Sequence, residues 1–168
     1  MDIRKAVLGD LGLIQDIYAY ARAFQAQTGN PHQWGDDGYP PQEMLREDIA
    51  LGRLYVCEQD KKPGGVFMFE VGADPTYAII EDGAWLNSEP YGVVHRIAGN
   101  GTIRAMAAQC FDFCLGQCSN LRIDTHEDNT VMQHVLQKYG FTKCGIIYLE
   151  NGDPRWAYHI VKEGSSQE

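Results

Sequence analysis

The stretch "LRIDTHEDNTVMQHVLQKYGF", residues 121–141, changes character twice. Leu121 to Thr125 alternate as a half-buried strand does. Four polar residues follow, His126 to Asn129, and then apolar residues recur at helical spacing up to Tyr139. Asp128 or Asn129 can cap that helix by accepting hydrogen bonds from its unpaired first amides. Gly140 can take the left-handed conformation that ends it. The capping reading needs no chemistry. His126, Glu127 and Asp128 do not read as a metal site, because consecutive side chains at a strand end point in different directions.

Upstream, "YGVVHRIA" (91–98) reads as a strand and residues 102–117 as a helix. Strand, helix and strand 121–125 form a crossover unit, so strands 91–98 and 121–125 are expected to be parallel. Working outward, residues 2–8 alternate as a short strand. Asp10 can cap a helix carrying Leu11, Ile14, Ile17, Tyr18, Ala21 and Phe24. "QTGNPHQWGDDGYPP" ends it. Pro41 suits the first turn of a second helix that carries Met44, Leu45 and Ile49 and closes at Gly52. "RLYVCE" and "GGVFMFEV" read as a hairpin around "QDKKPGG". Residues 73–90 carry no clear period. Residues 129–139 read as a helix, and "FTKCGIIYL" and "PRWAYHIV" as two closing strands. Residues 1–162 thus make one domain, with 163–168 a loose tail. The order implies an α/β fold with a mixed sheet covered by helices.

The chain has 168 residues, 44% hydrophobic and 22% charged, and a formal net charge of −9. That charge argues against a nucleic-acid or anionic-membrane partner. No apolar run approaches the length of a membrane span. "MDIRKAVLGD" lacks a signal-peptide core, and with 5 cysteines the expected setting is a reducing cytoplasm. Cys110, Cys114 and Cys118 recur every four residues, which places them on one helix face as core thiols.

His95 lies in strand 91–98, where alternation puts Val93, His95 and Ile97 on one face and Arg96 on the other, toward a carboxylate. A histidine there is either a hydrogen-bonded core residue or a base, since imidazole titrates near neutral pH. Glu81 is a fallback base. Trp34, Tyr39 and Trp85 sit in loops. With Asp36 and Asp37, the first two could wall a cation site, or all three could anchor loops on the core.

"EDNTVMQHVLQKYGF" resembles the "EN…A…Y…GF" segment of the GNAT superfamily of acyl-CoA-dependent N-acyltransferases, with Asn129 at the Asn and Gly140-Phe141 at the matching spacing. "HRIA…RIDTHEDN…GFTKCGIIYL…GDPRWAY" resembles bacterial members, and the element order is similar over nearly the whole chain. The resemblance implies a mixed, mostly antiparallel central sheet of six to seven strands flanked by helices. It implies transfer of an acyl group, acetyl in the first instance, from acetyl-CoA as co-substrate to a primary amine on a small molecule or peptide, without a metal, in a ternary complex. Dimers are common among similar proteins, so a homodimer belongs to the expectation. Ile97 and Ala98 would pair with the pantetheine, and Asn129 would contact its arm. Amides of Asn100, Gly101, Thr102, Ile103, Arg104 and Ala105 would hold the pyrophosphate. His95 would be the base.

Departures accompany the resemblance. The family's Arg/Gln-x-x-Gly-x-Gly/Ala signature falls on "TIRAMA", so Thr102 stands at the Arg/Gln and Ala105 at the first Gly. The usual acid, a Tyr seven residues after the Asn, is Leu136; Tyr139 and Tyr148 are near in sequence but off the motif. These departures suit an alternative, a CoA-binding or ligand-sensing module without turnover.

Overall fold

In the computed structural model, which describes residues 1–34 and 38–162, the elements in chain order are β1 (Asp2–Lys5), α1 (Leu11–Gln27), α2 (Gln42–Ala50), β2 (Leu54–Gln59), β3 (Lys62–Val71), β4 (Gly92–Gly99), α3 (Met106–Leu115), β5 (Asn120–Thr125), α4 (Thr130–Tyr139), β6 (Thr142–Tyr148) and β7 (Pro154–Val161). The strands form one sheet in the order β1-β2-β3-β4-β5-β7-β6. Neighbouring strands are antiparallel except β4 and β5, which run parallel as the crossover unit requires. The tail at 163–168 lies outside the described residues, as do Asp36 and Asp37.

Several boundaries differ from the sequence reading for local reasons. β1 stops at Lys5 because Leu8–Asp10 coil into a 3-10 turn, and the Asp10 carboxylate accepts from Val7 N and Arg4 instead of capping α1. Asp60 and Lys61 both take positive φ, 52° and 65°, and make the two-residue turn of the β2–β3 hairpin. β3 therefore begins at Lys62, ahead of Gly64. α3 starts at Met106, four residues after the expected position, because Ala105 sits in the left-handed region (φ 53°, ψ 36°). It ends at Leu115, so Cys118 lies beyond it; Cys110 and Cys114 are fully buried and Cys118 only partly.

Apolar residues cover both faces of the sheet. Tyr55, Cys57, Phe67, Phe69 and Val94 face α3 and α4, where Phe111 and Leu136 are fully buried. Leu54, Val56, Val66, Met68 and Ala98 face α1 and α2, against Ile14, Ile17 and Leu45. Tyr77, Val93, Ile147 and Ala157 form a smaller third cluster. Burying one such large side chain is worth roughly 1.5–3 kcal/mol, so both layers contribute to holding the sheet.

β4 carries the feature that arranges the site. Met68 of β3 pairs with His95, yet Val66 pairs with Ala98. Two residues on β3 thus span three on β4, which is a bulge. Arg96 absorbs the extra residue at φ 53°. Met68 and Val66 share a face, so their partners His95 and Ala98 share it too. Ile97 is turned to the opposite face and packs toward the α3 layer. The expected common face for His95 and Ile97 is therefore overturned: pleat alternation holds from Val93 to His95 and breaks at Arg96. Arg96 does find a carboxylate. It is Asp48 of α2, fully buried, which also accepts from Arg53 Nε at 2.7 Å. Tyr18 Oη donates to Arg96 O at 2.8 Å, fixing the bulge to α1.

Candidate active site

β4 and β5 are in register only at Gly92–Leu121 and Val93–Arg122. Beyond these pairs the strands part, and the edge of β4 from Val94 to Ala98 has no strand beside it on the β5 side. A cleft fills the gap. One half, about 450 Å³, lies over His95, the end of β5 and the loop between α1 and α2. The other, about 350 Å³, lies between α1, the start of α3 and the start of α4. Gln25, Ile97, Asn129 and Met132 line both halves, so the two are continuous.

In the first half, His95 Nε2 is 2.7 Å from Asp74 Oδ2. An ionised carboxylate can only accept, so Nε2 carries the hydrogen and Nδ1 is left with a lone pair. Nδ1 is 3.9 Å from Asp124 Oδ2, which accepts from Tyr77 Oη at 2.6 Å. The His95 side chain keeps 26% of its surface, so it is half-buried and still accessible from the cleft. Burial pushes the Asp74 carboxyl up, but hydrogen bonds from His95 and from Thr76 outweigh it and hold the group down to about 2. Burial and the adjacent Asp124 push the Tyr77 phenol well above its usual value, so it stays a donor. The cluster is a histidine oriented by one carboxylate and flanked by another.

Its pH dependence has a definite sign. Asp74 titrates lower folded than its ordinary 3.8, so its contribution to stability is present above pH 4 and lost as pH falls toward 2. The stability difference between wild type and Asp74→Asn should shrink over that window. Urea denaturation at stepped pH checks it; a constant difference would break the His95–Asp74 assignment.

The second half is apolar: Tyr20, Phe24, Ile97, Ile103, Met106 and Val131 line it. At its far end the chain turns from β4 into α3. Asn100 N donates to Gly64 O, and Thr102 N and Oγ1 both donate to Asn100 Oδ1. Two amides of the expected anion-binding run are thus already bonded within the chain. Gly101 takes φ 82°, and no side chain caps α3, so the first-turn amides stay available. Among the nine residues expected around the cofactor, Ile97, Ala98, Gly101, Ile103 and Asn129 line the cleft, while Asn100, Thr102, Arg104 and Ala105 do not. β3 approaches closely here: a Cβ on Gly65 would lie 2.0 Å from Met106 Sδ.

Asn129 caps α4 through Oδ1, which accepts from Met132 N at 3.0 Å. Its Nδ2 donates to Gln33 Oε1 at 2.8 Å, and Asn30 Nδ2 donates to the same oxygen at 2.9 Å. Gln33 therefore ties the α1–α2 loop to the start of α4. In that loop Trp34 packs edge-on against Tyr18 and near Tyr39, and both Trp34 and Tyr39 line the first half. Trp85 instead packs on Tyr77 and over Arg122, away from the cleft.

Neither tyrosine near the acid position reaches the cleft. Leu136 is fully buried in the α3–α4 layer, Tyr139 donates to Asp112, and Tyr148 is exposed on β6. Glu81 makes an isolated backbone bridge to Ile146 and lines neither half. No cluster of three metal-ligating side chains occurs among the described residues, and no helix there is long and apolar enough to cross a membrane.

The sequence reading missed Asp74, Tyr77, Asp124 and Gln33. Asp124 was within reach of it, because alternation along β5 puts it on the face opposite Ile123. Asp74 and Tyr77 came from the stretch without a period.

Among the described residues, the sheet parts at its one parallel pair, with a histidine oriented by a carboxylate on one side of the gap and a free helix start on the other. No family model and no curated protein matches the chain. Solved structures do. A GNAT-family acetyltransferase from Streptococcus agalactiae 2603 is 32% identical, with 97% of this chain and 96% of that chain covered and a TM-score of 0.88. The chain belongs to the GNAT family of acetyltransferases. The fold is shared more widely. A GNAT-family acetyltransferase from Listeria monocytogenes 4b F2365 is 20% identical over 95% of this chain and 94% of that chain, TM-score 0.68. A GNAT-superfamily phosphinothricin acetyltransferase from Sinorhizobium meliloti, solved with AcCoA, is 14% identical over 99% and 91%, TM-score 0.62.

Proposed function

We propose that the chain moves an acetyl group from acetyl-CoA directly to a primary amine within a ternary complex, with His95 as the base. The parting of β4 from β5 carries the reading. It leaves a backbone edge beside an apolar trough, which suits an amide-bearing pantetheine arm. The first-turn amides of α3 and the positive end of its dipole suit the diphosphate. A backbone N–H of β4 would polarise the thioester carbonyl. The amine nitrogen attacks the carbonyl carbon, the C–N bond forms, and the C–S bond breaks with its electron pair going to sulfur. The proton shed by nitrogen passes to His95 Nδ1. Asp74 keeps the ring in the tautomer that can take it, and the imidazolium formed faces two carboxylates. The thiolate leaves as the anion and is protonated by solvent, which fits the lack of a tyrosine from α4.

Calorimetry with acetyl-CoA tests the donor half. Binding is expected for wild type and Ala107→Ser, and should be lost in Ala107→Glu, which sets a carboxylate on the first turn of α3 where that turn lines the cleft. No heat from wild type at near-millimolar acetyl-CoA would end the enzyme reading. A second reading, a CoA-binding module without turnover, is favoured by Leu136 at the position of the acid. Binding without acetyl transfer to any of a broad amine panel would select it.

A further inference from the structure

We infer that the acceptor is an amine that also carries a carboxylate, an amino acid or a close derivative, held by Arg155. The inference rests on the acetyl-transfer reading and names the substrate class of that site.

Arg155 lies on β7, whose neighbour β5 pairs Asp124 with Ala157. Arg155, Ala157 and Asp124 therefore share one face of the sheet, the face His95 presents to the same half of the cleft. The Arg155 residue is only 5% exposed, yet it lines that half. Its guanidinium has five N–H donors. It donates to two carbonyl oxygens, Pro154 O at 2.8 Å and Gln33 O at 3.3 Å. Among the described residues, no carboxylate stands within ion-pair distance of it. Asp153, which also lines this half, is exposed, and its Oδ2 accepts from Asn151 Nδ2.

The other guanidiniums are settled in several ways; half-buried Arg22 donates to Tyr39 O. Arg4, Arg53 and Arg96 each meet a carboxylate. Arg122, equally buried, has none, but it lies 3.9 Å and 4.2 Å from the ring centres of Tyr91 and Trp85. Among the described residues, Arg155 meets neither a carboxylate nor an aromatic face. A buried cation without a counter-charge is costly, and an anionic group arriving in the cleft removes that cost. The planar fork matches a carboxylate bidentately. The amine of the same molecule is then directed toward His95, Asp74 and Asp124, whose carboxylates suit a cation. One end of the cleft is cationic and the other acidic, so a zwitterion fits and a plain amine leaves Arg155 unmatched.

The test compares matched acceptors at saturating acetyl-CoA. α-Amino acids and straight-chain ω-amino acids of increasing length are each set against their carboxamides and their decarboxylated amines. Wild type should favour the carboxylate member of at least one set by about 10–100-fold in kcat/KM, the usual worth of a hydrogen-bonded charge. Arg155→Met should lose that preference, the carboxylate members falling to the level of their carboxamide and amine partners within each set. Arg155→Lys, which keeps the charge but not the fork, should fall between. The wild-type comparison stands alone if Arg155→Met fails to fold. Amines turned over as well as or better than their carboxylate partners in every set would overturn the inference while leaving acetyl transfer intact. If nothing is acetylated, the transfer reading fails instead. Thermal shift with the same amino acids then still decides the Arg155 site: stabilisation weakened in Arg155→Lys supports it, and no stabilisation of wild type, or stabilisation undiminished in Arg155→Lys, overturns it.

Discussion

His95→Ala is expected to lower kcat by about 10²–10⁴-fold, the usual span for removing a general base. Acetyl-CoA affinity should stay near the wild-type value, because the second half of the cleft is lined mainly by backbone and apolar side chains and His95 is not among them. The acid limb of the pH–rate profile should flatten or move. A histidine that merely filled space would behave differently: the melting temperature would fall and the folded fraction would keep its turnover. Rate, acetyl-CoA affinity and melting point measured on one preparation separate the two outcomes. Turnover near wild type would remove His95 from the mechanism.

The second large effect is on stability and lies a layer away. Asp48 is fully buried and accepts from both Arg53 and Arg96. Asp48→Ala would strand Arg96 on the bulge of β4 and leave Arg53 with Glu70 alone. Breaking such a buried pair from one side typically costs about 3–5 kcal/mol. In a domain of this size that lowers Tm by on the order of 10 °C. Added salt should not mask the loss, since buried pairs are poorly screened. A loss below about 1 kcal/mol in urea denaturation would mean that Asp48 is not what holds Arg96. Activity should fall as well, at temperatures where the variant is still folded, because Arg96 adjoins His95.

What the sequence disclosed and what it hid follow from how far each signal reaches. The β5–α4 stretch was legible because its signals are local: alternation, a cap at Asn129, a glycine stop at Gly140. The parallel relation of β4 and β5 followed from the helix between them, and the family resemblance from the same segment. The conformations of Arg96 and Ala105 were not legible. Both are non-glycine residues at positive φ, which local preference disfavours. Tertiary contacts to Asp48 and Tyr18 hold Arg96 there. Missing that bulge put Ile97 on the wrong face. Residues 73–90 lacked a period because they are pinned one side chain at a time: Asp74 by Thr76 and His95, Tyr77 by Asp124, Leu86 N by His159, and Asn87 by Asn120. Pairwise ties of that kind leave no pattern along a chain. The same limit hid Gln33, whose partners Asn30 and Asn129 come from two separate parts of the chain.

The extra residue in β4 acts as a change of phase. Before it, the strand turns the His95 side chain into the first half of the cleft. After it, the side chains trade faces, and Ile97 and Ala98 border the second half. A substitution at His95 can therefore retune the first half without rewriting the second. What the strand does not tolerate is a change of count. Deleting one residue between His95 and Ala98 would restore an even pleat and set the two halves out of step. Inserting one would do the same from the other direction.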